Sequence, residues 1–263
     1  MNNGIKVITK AFKIIEILNQ DEQLSLKEIT QRVNLPKPTV FRILNTLQSL
    51  NYVQYNPVSQ SHALSHKFLI LAKKYLSKNG IIHIAIPHMI HLKELFNETV
   101  NLVKLAEKEA IFLHIEESNH PFKYVDQIGD KALLHSTAAG KSILAFLPNN
   151  KLKSIIENYD YQIFTKNTIS SFDLLKKNIL LIRKEGFAID DEEGHEGVMC
   201  VGAPIFNSDH SPFAALSISL PKIRANKIII KEITQKLPKT CIQISLELGV
   251  SNIRKCFETE TLS

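Results

Sequence analysis

Residues Ser25 to Leu64 read SLKEITQRVNLPKPTVFRILNTLQSLNYVQYNPVSQSHAL, and this stretch decides how the first part of the chain folds. The opening serine and Glu28 have the spacing of a capping box, in which each side chain bonds a free backbone N–H at the start of a helix. Pro36 and Pro38 end that helix, because proline lacks an N–H group and is tolerated only before or within the first turn of the next helix. A second helix therefore begins near Lys37, and two helices joined by a short turn predict a helix-turn-helix.

The second helix and the residues after it indicate how this unit is completed. Apolar residues recur every three or four positions in that helix, as expected when one face is buried. They are Val40, Ile43, Leu44, Leu47 and Leu50. Residues 52–55 and 62–64 have strand character and flank a polar turn, which predicts a two-stranded wing. Two short amphipathic helices also occur in many helical domains, but the wing and the paired prolines favour a DNA-binding unit.

The expected DNA contacts follow from the geometry of such a unit. The second helix enters the major groove with its N-terminal residues, so we expect Lys37, Thr39 and Arg42 to lie against base edges and phosphates. Wing residues 59–62 would contact the backbone or the minor groove. The complete predicted DNA-binding set is Ser25, Lys37, Pro38, Thr39, Arg42, Asn45, Ser59 and His62. The expected partner is double-stranded operator DNA.

Positive charge is concentrated in the first third of the chain. Residues 1–79 hold 11 Lys and Arg against 4 Asp and Glu, an excess of +7, whereas the remaining residues hold 21 against 22, or −1. A basic surface releases condensed counterions when it covers phosphates. A solvated lysine-rich face gives a similar excess, and the helix-turn-helix favours the first interpretation.

Length and composition limit the remaining possibilities. The 263 residues suffice for two ordinary domains, and 44% hydrophobic with 22% charged residues is typical of globular proteins. No apolar run approaches the roughly 20 residues of a membrane span, and the N-terminus lacks a signal-peptide core. We therefore expect a cytoplasmic protein without membrane contact. Cys200, Cys241 and Cys256 are widely spaced and odd in number, which predicts neither a disulfide framework nor a zinc finger. We expect no cofactor and no metal.

The rest of the chain is expected to alternate between helices and strands. Helices are predicted over 5–19, 65–79, 81–98 with a kink or restart at Pro87, 138–146, 151–158, 170–185 and 226–248. Strands are predicted over 99–105, 110–115, 123–128, 187–190, 198–205 and 213–220. This order predicts an α+β multidomain protein whose second part is a sandwich with one antiparallel sheet. The helix over 65–79 would link the two parts and has an apolar face that could pair with its copy in a dimer.

Several segments in order resemble the IclR family of bacterial transcriptional regulators, over nearly the whole chain. They are LPKPTVFRIL (35–44), LNYV (50–53), LHSTAAGK (134–141), LAFLP (144–148), GFAIDDEE (186–193) and GVMCVGAPI (197–205). The resemblance implies a winged helix-turn-helix over 1–64, a linker helix over 65–80 and a GAF-like effector-binding domain over 81–263, assembled as homodimers or homotetramers. Two positions depart from the family pattern: Pro38 replaces a common serine and Met199 a frequent arginine.

A candidate effector site lies in the second part. Thr137-Ala138-Ala139-Gly140 precedes a helix, whose unpaired N–H groups and dipole can hold an anion such as a carboxylate. Ser217 and Ser219 lie two apart on a strand and so project to one face. The resemblance implies that these residues, with Asp190 and Cys200, line a pocket for a small 2-oxo or hydroxy acid. Small residues also pack sheets against helices, strand serines are often satisfied internally, and a buried cysteine is usually inert.

Residues 190–196, DDEEGHE, offer five carboxylates and one imidazole, the kinds of side chain that bind divalent ions. Consecutive loop residues cannot all face one ion, so a solvated acidic loop is expected instead.

These observations predict a sequence-specific transcriptional regulator, more consistent with a repressor than an activator, whose operator binding responds to a small carboxylic acid. It is not expected to be an enzyme. Two alternatives remain. One is a cysteine-dependent hydrolase using Cys200, although its apolar neighbours favour an unactivated thiol. The other is an architectural DNA-binding protein, which would have no cavity in its second part.

Overall fold

The chain divides into two compact units, residues 1–78 and 79–263. The computed structural model describes residues 5–21, 23–78, 80–157 and 159–258, with the side chains of 73–78 outside that description. Each unit buries its own apolar side chains. The first has one core and the second has two, one on each face of its large sheet.

Four helices form most of the first unit: α1 (Lys6–Leu18), α2 (Leu26–Val33), α3 (Lys37–Ser49) and α4 (Lys67–Lys78). The predicted capping box is confirmed, because Glu28 N donates to Ser25 Oγ at 3.3 Å and Ser25 N donates to Glu28 Oε2 at 2.8 Å. Asn34 adopts a left-handed conformation, with φ 52°, and ends α2. The apolar stripe of α3 is buried as predicted except for Leu50, which is half exposed.

A small antiparallel sheet completes the first unit. Its strands β1 (Leu24–Ser25), β2 (Val53–Asn56) and β3 (Ser61–Leu64) lie in the order β1-β3-β2. The predicted two-stranded wing is therefore confirmed, with Gln54 opposite Ala63. The sequence did not predict β1, because two residues are too short to show the period-two pattern of a strand.

The start of α4 is attached to the end of α3. Lys67 Nζ donates to Leu50 O at 2.7 Å and lies 4.3 Å from the centre of the Tyr52 ring. Phe68 packs edge-on against the same ring at 5.4 Å. Among the side chains of this helix that the structure describes, the large apolar ones of Leu69, Ile70 and Leu71 are exposed. The predicted stop at Asn79 lies outside the described residues.

The second unit contains one six-stranded antiparallel sheet and the helices that cover it. Its strands are β4 (Thr99–Ala106), β5 (Glu109–Glu116), β6 (Lys131–Ala132), β7 (Ala188–Asp191), β8 (Val198–Phe206) and β9 (Pro212–Pro221), in the order β6-β5-β4-β9-β8-β7. Its helices are α5 (Gly80–Phe96), α6 (Ala138–Phe146), α7 (Asn149–Ile156), α8 (Phe172–Glu185), α9 (Lys227–Glu247) and α10 (Ile253–Phe257), with a 3-10 turn at Lys222–Arg224.

Two helical layers enclose this sheet. Helices α5 and α9 pack on one face, and α6 packs on the other with α8 outside it. Along β9, Leu216 and Ile218 belong to the core under α5 and α9. Because strand side chains alternate between faces, Ser217 and Ser219 point to the α6 side. Within the described ranges, none of the helices has the length and apolar content needed to cross a membrane.

Most predicted elements are confirmed, but one strand is wrong. Residues 123–128 form a loop, and the chain joins the sheet only afterwards, where Gly129 N donates to Phe112 O at 2.9 Å and Phe112 N donates to Asp130 O at 3.0 Å. The edge strand is therefore the short β6. Helix α5 continues past Pro87 without a break, and α10 was not predicted.

Candidate functional site

The outward face of α3 carries most of the residues predicted to bind DNA. Lys37, Pro38, Arg42 and Asn45 are exposed and Thr39 is partly exposed. The opposite face of this helix is buried against the core of the first unit. Phe41 is 50% exposed on the same helix. Phenylalanine can make an apolar contact with the methyl group of thymine in the major groove, and Phe41 was not among the residues predicted to bind DNA.

The side chains of the other predicted DNA-binding residues make contacts within the first unit. Ser25 caps α2, and Ser59 Oγ lies 2.6 Å from Ser61 Oγ near the end of the wing. His62 is only 6% exposed, with its ring 4.9 Å from that of Tyr55, and burial lowers its pKa. The structure therefore gives no support for a DNA contact through the His62 side chain.

A cavity of about 80 Å³ lies in the second unit, where the first turn of α6 meets strands β8 and β9. The structure brings seven predicted effector residues together in its wall: Thr137, Ala138, Ala139, Asp190, Cys200, Ser217 and Ser219. A water molecule needs roughly 10–15 Å³ of such space. The cavity therefore has the size for a molecule of a few non-hydrogen atoms.

The start of α6 offers hydrogen-bond donors to this cavity. Gly140 N donates to Thr137 Oγ1 at 3.1 Å, so the third N–H of the helix is capped. The N–H groups of Ala138 and Ala139 have no acceptor among the residues that the structure describes. Ser136 also lines the cavity, and its buried hydroxyl has no hydrogen-bond partner within those residues. Such a group gains a partner when a polar ligand binds.

Two glycines allow this arrangement. A Cβ on Gly202 of β8 would lie 2.5 Å from the carbonyl carbon of Ala138, so this strand and the helix start touch through backbone alone. A Cβ on Gly140 would lie 2.6 Å from Leu134 Cα. Gly140 does not line the cavity. Residue 140 is therefore a glycine because the chain's own backbone lies against it, and not because a ligand approaches it.

The serine pair belongs to a buried polar network that the sequence did not reveal. Asn101 Nδ2 on β4 donates to Ser219 Oγ at 3.0 Å and approaches Ser217 Oγ at 3.5 Å. Cys200 Sγ donates to Ser219 Oγ at 3.2 Å. Ser219 Oγ thus accepts two hydrogen bonds, which leaves its own hydrogen for an acceptor in the cavity.

The acidic loop is only in part the solvated loop that was expected, because Asp191 and Glu196 are exposed but two other carboxylates are not. Asp190 and Glu193 are both buried, and Asp190 Oδ1 accepts from Glu193 N at 2.7 Å. The fully buried Lys141 of α6 forms an ion pair with Glu193 and donates to Ile189 O at 2.6 Å. Burial raises the pKa of Asp190 to about 6 and that of Glu193 to about 7. The expectation failed because Lys141 is distant in sequence and contacts the loop only in the folded chain.

A second group of titratable side chains forms the rim of the cavity. Tyr124 Oη donates to Asp126 Oδ1 at 3.0 Å, and the Tyr124 ring lies 5.0 Å from that of His195. Burial raises the pKa of Asp126, and the hydrogen bond from Tyr124 partly offsets this increase. The loop that carries Tyr124 and Asp126 was predicted to be a strand, so these residues were not expected at the site.

The environment of Cys200 disfavours the hydrolase alternative. Its thiol is buried and donates a hydrogen bond, and burial together with the charge of Asp190 holds its pKa well above the usual value. A nucleophilic cysteine requires the opposite shift. The cavity itself disfavours the architectural alternative. Among the residues described, no three or more His, Cys, Asp or Glu side chains are arranged to hold a metal ion.

Comparisons with known proteins agree with this description. The family model for the IclR helix-turn-helix domain matches residues 7–57, and the model for the bacterial transcriptional regulator IclR C-terminal region matches residues 73–246. The HTH-type transcriptional regulator KdgR of Escherichia coli is 30% identical over 94% of each chain. The DNA-binding transcriptional repressor YiaJ of the same organism is 33% identical, over 94% of this chain and 89% of its own.

A solved structure gives the same result. The crystal structure of the Thermotoga maritima IclR superposes with a TM-score of 0.80 at 30% identity, covering 94% of this chain and all of the other.

Proposed function

The chain belongs to the IclR family of bacterial transcriptional regulators, and we propose that it represses its target genes in the cytoplasm until a small carboxylic acid fills the cavity of the second unit. Residues 1–64 act as the winged helix-turn-helix DNA-binding domain, 65–80 as the linker helix and 81–263 as the effector-binding domain. The relatives named as a repressor and as regulators support this role. The protein would act as a homodimer or homotetramer on operator DNA.

One observation about the cavity supports this proposal. The buried Ser136 hydroxyl and the N–H groups of Ala138 and Ala139 have no hydrogen-bond partner within the described chain. These residues line the same cavity as Ser217 and Ser219. Several neutral donors in one cavity fit a carboxylate. They would hold it without an opposing basic side chain.

DNA recognition rests on the exposed N-terminal face of α3. Lys37, Thr39 and Arg42 would contact bases and phosphates, with Pro38, Asn45 and Ser59 at the edge of that surface. The acid would change DNA occupancy only by binding one arrangement of the oligomer better than another. The exposed apolar residues of α4 are candidates for contacts between copies.

Selection from random DNA tests this function. Full-length protein should enrich a sequence with two related half-sites, as expected for a dimer, and binding to it should weaken as salt rises. A panel of acetate, pyruvate and glycerate is then added to the selected complex. Recovery of unrelated sequences alone, or a complex indifferent to every acid, would contradict the proposal.

A further inference from the structure

The cavity also has acidic lining residues that the binding of a carboxylate does not explain. Besides the donors of α6 and β9, its wall contains the carboxyl groups of Asp126 and Asp190. Asp190 is committed to its own loop through the N–H of Glu193. Asp126 is held by one hydrogen bond to a carboxylate oxygen, from Tyr124 at 3.0 Å. Its second oxygen is therefore available to a donor on a ligand.

Positive charge near the cavity is already paired. The lysine that lines it, Lys131, donates through Nζ to Glu109 Oε1 at 2.7 Å. The buried Lys141 is engaged by Glu193 and by the carbonyl of Ile189. His195 is the other lining residue that can carry a positive charge, and its ring lies against Tyr124. Within the described lining, there is no arginine and the one lysine, Lys131, has a side chain that is 65% exposed, so solvent screens its charge and it contributes little to neutralising a second negative charge on a ligand.

The two kinds of lining group impose different requirements. The donors, with Ser136, Ser219 and the α6 N–H groups, suit one carboxylate. The carboxyl groups of Asp126 and Asp190 repel a second carboxylate, because like charges in a poorly solvated site raise each other's free energy. They attract a hydroxyl, which donates to an ionised carboxyl group in a charge-assisted hydrogen bond. The small volume of the cavity brings both ends of a short acid into contact with its lining.

Building on the ligand site proposed above, we propose that Asp126 makes the cavity selective for a short monocarboxylate that carries a hydroxyl group, and against dicarboxylates of equal size. The carboxylate lies at Ser136 and Ser219, and the hydroxyl donates to Asp126. Tyr124 positions Asp126 through its own hydrogen bond.

Glycerate and malonate provide a matched test, since they have three carbons and the same number of non-hydrogen atoms but differ in the second carboxylate. Both are titrated into the full-length protein by calorimetry at about pH 8, where the Asp190 carboxyl, whose pKa is about 6, is ionised. We expect the wild type to bind malonate at least about tenfold more weakly than glycerate. Asp126→Asn should bring the two dissociation constants within about threefold.

Asp209→Asn is the control, because Asp209 is exposed and does not line the cavity. It should keep the wild-type preference. Thermal unfolding checks that each variant is folded, and Asp126→Ser replaces Asp126→Asn if the latter is not. The wild-type comparison needs no variant.

Each result has a separate meaning. Wild-type protein that binds malonate as well as glycerate overturns the selectivity but leaves the cavity as a carboxylate site. A preference that survives in Asp126→Asn overturns the role of Asp126. If the wild type binds neither acid, nor acetate, the proposed function of the cavity fails and this inference fails with it.

Discussion

Gly202 lies so close to Ala138 that a Cβ on the glycine would be 2.5 Å from the alanine carbonyl carbon. This contact seats the first turn of α6 on β8 and so places the helix N–H groups at the cavity. Gly202→Ala should therefore displace the helix start and lower the free energy of unfolding by about 2 kcal/mol.

Denaturant unfolding measures this loss, and ligand titration should show weaker binding of carboxylates. Gly80→Ala is the control, because a Cβ there meets nothing within 4 Å and its φ is not positive. Equal stability of the two variants would show that α6 does not depend on this contact.

Because Lys141 and Glu193 form a buried ion pair, substitutions of these two residues should have non-additive effects on the free energy of unfolding. Lys141→Met should lower the free energy of unfolding by about 3 kcal/mol, because it leaves the buried Glu193 carboxyl without its partner. Adding Glu193→Gln to this variant should recover part of that loss, since the unpaired charge is removed. Chemical denaturation of the two single variants and the double variant checks the cycle, and strictly additive losses would contradict it.

The buried Asp190 makes the free energy of unfolding depend on pH, and the raised pKa of this residue sets the direction of that dependence. Burial raises its pKa to about 6, above the roughly 3.9 of an unfolded chain. Between these values the folded protein binds more protons than the unfolded chain, so this group lowers the free energy of unfolding as pH rises from about 4 to about 6. Asp190→Asn should remove that part of the slope in a series of denaturant titrations.

The exposed Asp209 provides the comparison, and Asp209→Asn should keep the wild-type slope. Identical slopes for wild type and Asp190→Asn would mean that the Asp190 carboxyl titrates at its ordinary value when folded.

Arg42 should contribute both affinity and salt dependence to DNA binding. Arg42→Ala removes one exposed cation from α3, so binding should weaken and the slope of log affinity against log salt should fall in magnitude by about 1. Fluorescence anisotropy with the selected DNA measures both quantities. Arg254→Ala removes the same charge from α10 in the second unit and should change neither.

Local patterns were sufficient for the elements and for part of the site. The three-and-four spacing in α3 predicted which side chains of that helix are buried, and the two-residue spacing of Ser217 and Ser219 predicted that they share a face of β9. The capping box at Ser25 and Glu28 likewise depends on residues three apart. Such features need no knowledge of the rest of the chain.

The remaining features depend on contacts between distant segments. Asn101 and Ser219 meet only because β4 pairs with β9. Glu193 is buried because Lys141, 52 residues earlier, reaches it. Asp126 lies in a loop, residues 123–128, that was predicted to be a strand, and only contacts with distant segments show that it lies outside the sheet. A single sequence has no signal for these pairings.

An acid in the cavity should change the affinity of the protein for DNA. The dissociation constant for the selected DNA is measured for wild type and Ser219→Ala, each with and without glycerate at saturation. We expect glycerate to weaken wild-type binding by about tenfold, and Ser219→Ala to bind DNA normally but to respond only at much higher glycerate concentration. If Ser219→Ala reproduced the wild-type response at the same concentration, the acid would act outside this cavity and the proposed function of the cavity would be wrong.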